Sequence, residues 1–260
     1  MTNPIKGAQY FIRGLGLLNQ SGVRRYVIIP FLLNISIFAV LMYVAAGYFN
    51  DLLDWIISFL PEALSWLTWI LWPLFFIIGL LIFSFSFSII ANLIAAPFNG
   101  FLAFAIEEKL TGTPPPSSGL SLSAEIILSF KNAIRNLLYS IMWAIPIVIV
   151  SFIPVINIVI PFLWLIYGAW MMSLQYMDYP MGNYSMSFKN IRANLAEKRI
   201  LTLGFGGITT AATMIPIVNF LVMPTAVAGA TILWVEEYLP QQETFENSSL
   251  TNETINKKLK

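Results

Sequence analysis

The sequence predicts an all-α integral membrane protein, with two long transmembrane helices and two proline-broken helical hairpins that penetrate the bilayer only part way. Hydrophobic residues make up 58% of the chain and charged residues only 10%, against about 25% charged residues in an ordinary soluble domain. The charged residues are grouped so that four uncharged stretches remain, each long enough for a membrane helix. These stretches are residues 26–50, 63–106, 136–177 and 200–235.

The residue types that are missing exclude many functions. The chain has no cysteine and no histidine, which removes disulfides, thiolate nucleophiles and the usual ligands of zinc and haem. It also lacks a phosphate-binding loop and a dinucleotide-binding fingerprint. Its net charge of +1 gives no electrostatic reason to expect nucleic acid as a partner. We therefore predict that the protein is not an enzyme and binds no cofactor, no metal and no nucleic acid.

Residues 3–20 are predicted to form an amphipathic helix that lies along the cytoplasmic interface of the membrane. Asn3 and Pro4 are typical of a helix start. Apolar side chains recur at helical spacing on one face of this helix. They are Ile5, Ala8, Phe11, Ile12, Leu15 and Leu18.

The first two uncharged stretches predict full crossings at residues 26–50 and 66–96, because about 20 apolar residues span the hydrocarbon core. Trp66, Trp69 and Trp72 suit an aromatic belt at the start of the second crossing. We expect this helix to break at residues 96–100, where Pro97 removes a backbone N–H donor.

The positions of the basic residues predict the sidedness. The loop between the crossings holds Asp51, Asp54 and Glu62 but none of the 14 lysines and arginines, so the positive-inside tendency makes it external. Both termini and the segment 101–135 are then predicted to be cytoplasmic. Residues 1–240 form a single membrane domain in this interpretation, and residues 241–260 have the polarity of a flexible tail.

Two later stretches, residues 136–177 and 200–235, are predicted to be hairpins because basic residues flank both on the same side. The second hairpin has 36 residues, and two crossings with a turn need more than about 40. The apices resemble each other, since residues 153–161 are echoed by residues 215–224. Proline-interrupted segments in matching positions are a pointer to a transport site; tight turns between packed helices are the alternative interpretation.

The segment Ser21, Gly22, Val23, Arg24 and Arg25, just before the first crossing, is a candidate anion site. A helix start offers free backbone N–H groups and the positive end of the helix dipole. Glycine permits close approach of the backbone, and two guanidinium groups offer forked donors to a tetrahedral oxyanion. The alternative is that the arginines only anchor a helix at the inner membrane face.

Uncharged polar residues at helical spacing predict a hydrogen-bonding path for an anion, because fixed cations would hold a dianion too tightly. The alternative is that these residues only pack membrane helices together. The candidate path residues are Asn34, Ser84, Ser88, Asn92 and Asn99. Glu107, at a predicted cytoplasmic helix end, is a candidate gate or proton carrier, or simply a solvated helix end.

Three motifs in this order resemble the CysZ sulfate permeases. They are GVRRYVIIP at residues 22–30, AAPFNG at residues 95–100 and QYMDYP at residues 175–180. The resemblance covers residues 4–239 and implies sulfate uptake across the bacterial inner membrane for cysteine synthesis, by a homo-oligomer with hemi-penetrating hairpins. It also implies that sulfate binds a Gly-Leu-Arg motif, which reads Gly22, Val23, Arg24 here. Relatives often carry a histidine near Gly182–Asn183–Tyr184, and this chain does not.

The combined expectation is a sulfate transporter, channel-like or proton-coupled, whose site would also suit sulfite or thiosulfate. Two crossings are too few to enclose a wet path, so we expect a homodimer or a higher homo-oligomer in membrane lipid. A membrane scaffold or accessory subunit of another anion carrier is the main alternative. A membrane enzyme acting on lipid is a third possibility, which the missing histidine and cysteine disfavour.

Overall fold

The computed structural model describes residues 3–59, 66, 68–116 and 122–240, and it is all-helical over these ranges. The predicted tail at residues 241–260 lies outside the described residues. The α-helices of the described chain are α1 (Pro4–Leu17), α2 (Arg25–Ile57), α3 (Thr68–Thr111), α4 (Leu122–Ser151), α5 (Ile160–Asn183), α6 (Phe188–Glu197), α7 (Arg199–Thr213) and α8 (Pro216–Leu233). They fall into two compact units, one of Met1–Val27 with Asn99–Lys260 and one of Ile28–Phe98.

The second unit consists of most of α2 and the first part of α3, joined by aromatic side chains. Phe38 meets Phe83 edge-on with ring centroids 5.4 Å apart, and Phe49 meets Trp72 at 5.8 Å. Such perpendicular contacts place the positive ring edge against the negative ring face. Ring contacts therefore contribute to the packing of the two helices.

Both helices of this unit are longer than the predicted crossings. Helix α2 continues through Asp51 and Asp54 to Ile57. Helix α3 passes through Pro97 without interruption, so the expected break at residues 96–100 is wrong. Proline removes only one N–H from the helical ladder, and helices in a membrane setting tolerate this loss when neighbouring groups compensate.

In the first unit, α1 packs against α7 and α8 and is part of the core. Its buried residues are Gly7, Tyr10, Phe11 and Gly14. By contrast, Ile5 is 65% exposed, Ile12 61% and Leu15 50%. Of the predicted apolar stripe, Phe11 and Leu18 are buried, and glycines supply the rest of the packing face. The position of the helix along the cytoplasmic interface stays a prediction.

Glycines allow the helices of this unit to approach at backbone distance. A Cβ atom added at Gly14 would overlap backbone atoms of Thr225 and Gly229 in α8, and one added at Gly7 would overlap Leu201 in α7. Small residues at helix interfaces are typical of membrane proteins, where van der Waals packing between helices replaces the hydrophobic effect.

A cluster of charged residues fixes α1 to the end of α8. The helix widens into a π turn at Trp234–Tyr238, which carries two successive carboxylates. Arg13 donates to both oxygens of Glu236 at 2.5 and 2.9 Å, and Lys6 pairs with Glu237 at 2.5 Å. We call this set the terminal clamp. It comprises Lys6, Tyr10, Arg13, Lys198, Glu236 and Glu237.

The predicted hairpin apices coincide with two turns of similar backbone shape. Ile153 and Ile215 are both extended, with φ of −91° and −97°, as expected for residues that precede proline. After Ile153 a short 3₁₀ turn, Pro154–Ile156, leads to α5, whereas Pro216 begins α8 directly. The depth to which either helix pair enters a bilayer stays a prediction.

Two helices of the described chain are long and apolar enough to cross a membrane, Arg25–Ile57 and the Phe130–Ser151 part of α4. Helix α3 adds a shorter apolar run, Trp72–Phe83. The apolar side chains of both long helices are largely uncovered by the rest of the described chain. This outward apolar surface fits a protein whose solvent is lipid.

We predict that Gly14→Ala destabilises the fold by about 1–3 kcal/mol, because its methyl group would be forced into the backbone of α8. Gly16→Ala is the matched control, since a Cβ there would meet no described atom within 4 Å. Thermal unfolding of the detergent-solubilised protein measures both. Equal melting temperatures for the two variants would contradict the packing of α1 described above.

The terminal clamp predicts a loss of stability in acid. The hydrogen bonds from Arg13 hold the pKa of Glu236 below its ordinary value, so the ionised carboxylate stabilises the fold at neutral pH and this contribution disappears as the pH falls through the lowered pKa. Glu236→Gln should therefore melt below wild type at pH 7, and the difference should vanish in strong acid. Glu108→Gln, an exposed carboxylate outside the clamp, is the control. A difference independent of pH would refute the assignment.

Candidate functional site

The predicted anion turn at residues 21–25 connects α1 to α2 and is exposed except for one side chain. Gly22 has φ of +88°, a backbone conformation that glycine adopts without strain. A Cβ at this position would meet no described atom within 4 Å, so the space above the turn is open. Val23 is fully buried. Its side chain anchors the turn and leaves Ser21, Arg24 and Arg25 facing outward.

Two backbone amides of this turn are already engaged. The N–H groups of Val23 and Arg24 both donate to the carbonyl oxygen of Gln20, at 3.1 and 3.2 Å. The N–H groups of these two residues are therefore not available to an anion, which would have to bind other groups of the turn. The predicted role of the turn in anion binding stays a prediction.

Both arginine side chains are exposed at the turn. The guanidinium of Arg25 donates to the hydroxyl of Tyr26 at 2.9 Å and lies 4.8 Å from the centre of its ring. Stacking on an aromatic ring orients a guanidinium while leaving other N–H groups available. Within the described ranges, neither Arg24 nor Arg25 belongs to an ion pair.

A third cation at this turn was missed from the sequence. The ammonium group of Lys109, in the last turn of α3, lies 3.4 Å from the carbonyl oxygen of Ser21. The sequence shows Lys109 only as a basic residue at a predicted cytoplasmic helix end. Its proximity to a turn far away in the sequence depends on tertiary packing, which no local pattern reports. The turn therefore presents Arg24, Arg25 and Lys109 together.

Two of the three sequence motifs meet in the first unit. Asn99 is buried, and its side-chain N–H group donates to the hydroxyl of Tyr179 at 3.2 Å. This bond joins the AAPFNG motif of α3 to the QYMDYP motif of α5. Asn99 is thus held in place by Tyr179, a role the sequence did not indicate.

Glu107, the candidate gate, is 1% exposed and not a solvated helix end. Tyr184 donates a hydrogen bond to one of its carboxylate oxygens. Burial raises the pKa of Glu107, and interactions with Tyr184 and Trp234 oppose this only in part.

Asp178 is a second carboxyl group with a perturbed environment. One of its oxygens is buried without a hydrogen-bond partner among the described residues. Burial raises its pKa to about 6. Glu107 and Asp178 are therefore carboxyl groups near the motifs that bind a proton more readily than an ordinary carboxyl group does.

The remaining path candidates belong to the second unit. Asn34 is half-buried in α2, and its side-chain oxygen has no partner in the described residues. Helix α3 carries Ser84, Ser88 and Asn92, whose side chains lie outside the described part of the chain. The unpaired oxygen of Asn34 in an apolar helix is consistent with a polar lining, and it is consistent with contact to another chain.

Comparison with known proteins identifies relatives over almost the whole chain. The family model described as "Sulfate transporter CysZ/Etoposide-induced protein 2.4" matches residues 10–224. A protein of Pseudomonas fluorescens strain Pf0-1 named sulfate transporter CysZ is 44% identical over 235 residues, which cover 90% of this chain and 94% of the relative.

Two further similar proteins have the same name. One from Pseudomonas aeruginosa strain LESB58 is 41% identical over 90% of this chain and 96% of its own length. One from Pectobacterium atrosepticum is 39% identical over 94% of this chain and 89% of its own length. Identity of this level over full-length relatives confirms the resemblance that the three motifs indicated, and the chain belongs to the CysZ sulfate transporter family.

Proposed function

We propose that this protein transports sulfate into the cell across the bacterial cytoplasmic membrane, and so supplies sulfur for cysteine biosynthesis. The observation that carries the proposal is the similarity, over 90% of the chain, to proteins named sulfate transporters. The exposed arginines of the anion turn and the outward apolar faces of α2 and α4 agree with it. Neither feature suggests covalent chemistry.

Sulfate binds at the turn of residues 21–25 in this proposal, on the cytoplasmic side. Arg24 and Arg25 supply forked, charge-assisted donors, and Lys109 adds a third positive charge from α3. Gly22 keeps the turn open above its backbone. Val23 acts from the core by fixing the turn, and Ser21 is an exposed hydroxyl beside it. Sulfite and thiosulfate present similar oxygens to the same donors.

The anion then follows an uncharged polar path that includes Asn34, Ser84, Ser88, Asn92 and Asn99. The hairpins of α4 with α5 and of α7 with α8 penetrate the membrane from the cytoplasmic side, where both termini lie. The uncovered apolar surfaces of α2 and α4 pack against lipid and against further copies of the chain. A homo-oligomer thereby completes the path that one chain is too small to enclose.

Glu107 and Asp178 are the carboxyl groups that proton-coupled transport would use in this proposal. Both carboxyl groups bind protons more readily than an ordinary carboxyl group, because burial raises their pKa. Proton-coupled transport would use such a group, whereas channel-like transport would leave its protonation unchanged during flux.

We predict that replacing both Arg24 and Arg25 by alanine weakens sulfate binding at least tenfold, because each hydrogen bond to a charged group contributes about 1.5–3 kcal/mol. Isothermal titration of the purified protein with sulfate measures the loss. The double variant Lys131→Ala and Arg135→Ala removes the same charge from α4 and should bind sulfate as wild type does. Unchanged affinity in the Arg24 and Arg25 variant would refute the assigned site.

Liposomes that contain only this protein should take up radiolabelled sulfate, which distinguishes a transporter from a scaffold. No uptake above empty liposomes would favour the accessory role. The same assay with an imposed proton gradient tests coupling: acceleration in wild type that is lost in Glu107→Gln indicates that Glu107 carries the proton. Equal rates with and without the gradient indicate a channel-like mechanism.

A further inference from the structure

A cavity of about 440 Å³ lies between α4, α5, α6 and α7, apart from the anion turn. Three basic side chains line it: Lys189 and Arg192 from α6 and Arg199 from α7. No acidic residue is among its lining. Glu197, the acidic residue of α6, does not reach it. The ion pairs of the described chain engage other cations, so none of these three basic side chains forms an ion pair within the described residues.

The sequence of α6 produces this basic wall. Ser187 caps the helix by accepting a hydrogen bond from the backbone N–H of Asn190. Lys189, Arg192 and Ala196 are then spaced by three and four residues, which aligns them on one helix face. Alanine at the cavity-lining positions 193 and 196 leaves room between the long basic side chains.

Two of the basic groups are held by neighbours that neutralise no charge. The guanidinium of Arg192 lies 5.2 Å from the centre of the Tyr139 ring, and Nε of Arg199 donates to the carbonyl oxygen of Ala196 at 3.2 Å. The terminal N–H groups of both arginines remain suited to forked binding of an oxyanion.

Another part of the cavity lining is an apolar wall. It includes Ile166 and Trp170 of α5 and Leu203 of α7. Ile166 is 54% exposed and belongs to the outward apolar face of α5, together with Phe162 and Leu165. The basic side chains of the cavity therefore border an uncovered apolar surface. A free sulfate ion would contact the cations and leave this apolar wall exposed to water.

We infer that the cavity binds the headgroup of an anionic phospholipid, with the phosphate on Arg192 and Arg199 and the start of an acyl chain along Ile166 and Trp170. Basic pockets between membrane helices on the cytoplasmic side recognise such headgroups, and aromatic residues with a polar edge favour the same depth. In this assignment, the anionic phosphate contacts the basic side chains and the apolar acyl chain contacts the apolar wall. It is independent of whether sulfate binds at the anion turn.

Native mass spectrometry of the full chain in detergent tests this, with dioleoylphosphatidylglycerol as the anionic lipid and dioleoylphosphatidylcholine as the zwitterionic one. Wild type should bind the anionic lipid more tightly. The double variant Arg192→Gln and Arg199→Gln should weaken that binding about thirty-fold, since each basic residue near a membrane surface contributes a factor of about five. Binding of phosphatidylcholine should be unchanged.

The double variant Lys131→Gln and Arg135→Gln is the control, because it removes the same charge from α4 outside the cavity lining. Equal affinity of wild type for the two lipids, or equal losses in both double variants, would overturn the inference. Displacement of phosphatidylglycerol by millimolar sulfate, but not by sodium chloride at the same ionic strength, would indicate a site for a free oxyanion instead.

A second measurement does not depend on the arginine variants folding. Phosphatidylglycerol brominated on its acyl chains should quench the tryptophan emission of the protein in vesicles more than brominated phosphatidylcholine does. This difference should disappear in Trp170→Phe, because Trp170 lines the cavity. A difference that persists in Trp170→Phe would place the lipid elsewhere and contradict the assignment.

Discussion

The close packing of α1 against α7 and α8 is the constraint on which the first unit depends. Gly7 and Gly14 bring the helix to backbone contact, and the terminal clamp fixes its polar side. The chain then leaves α1 through the buried Leu18 and Val23 directly into the arginine turn. The packing of α1 therefore determines where the turn that carries Arg24 and Arg25 begins.

Sequence reasoning identified the class of protein and the family because both depend on local signals. Long uncharged runs and the three motifs are properties of short windows. It did not indicate the glycine contacts of α1, since hydrophobic periodicity gives weight to Ile5, Ile12 and Leu15 and none to glycine. In a lipid setting, apolar residues have no reason to turn inward, and small residues that permit close contact define the interior instead.

The site was predictable to a similar extent. The arginines of the turn were identified, and they are exposed as a binding role requires. The engagement of the Val23 and Arg24 amides by Gln20 was not, because it depends on the exact turn conformation after α1. The bonds from Asn99 to Tyr179 and from Tyr184 to Glu107 join residues about 80 positions apart. Only the tertiary fold brings such residues together.

Tyr10 in the terminal clamp has a hydroxyl group that faces Glu236 at 3.1 Å and Glu237 at 2.9 Å. A phenol carries one hydrogen, so it serves one carboxylate at a time while its oxygen faces the other. Burial and the adjacent carboxylates raise the pKa of Tyr10, which keeps that hydrogen in place. Rotation about the C–O bond of Tyr10 therefore allows either carboxylate to receive this hydrogen bond. Helix α1 stays joined to the end of α8 in both arrangements.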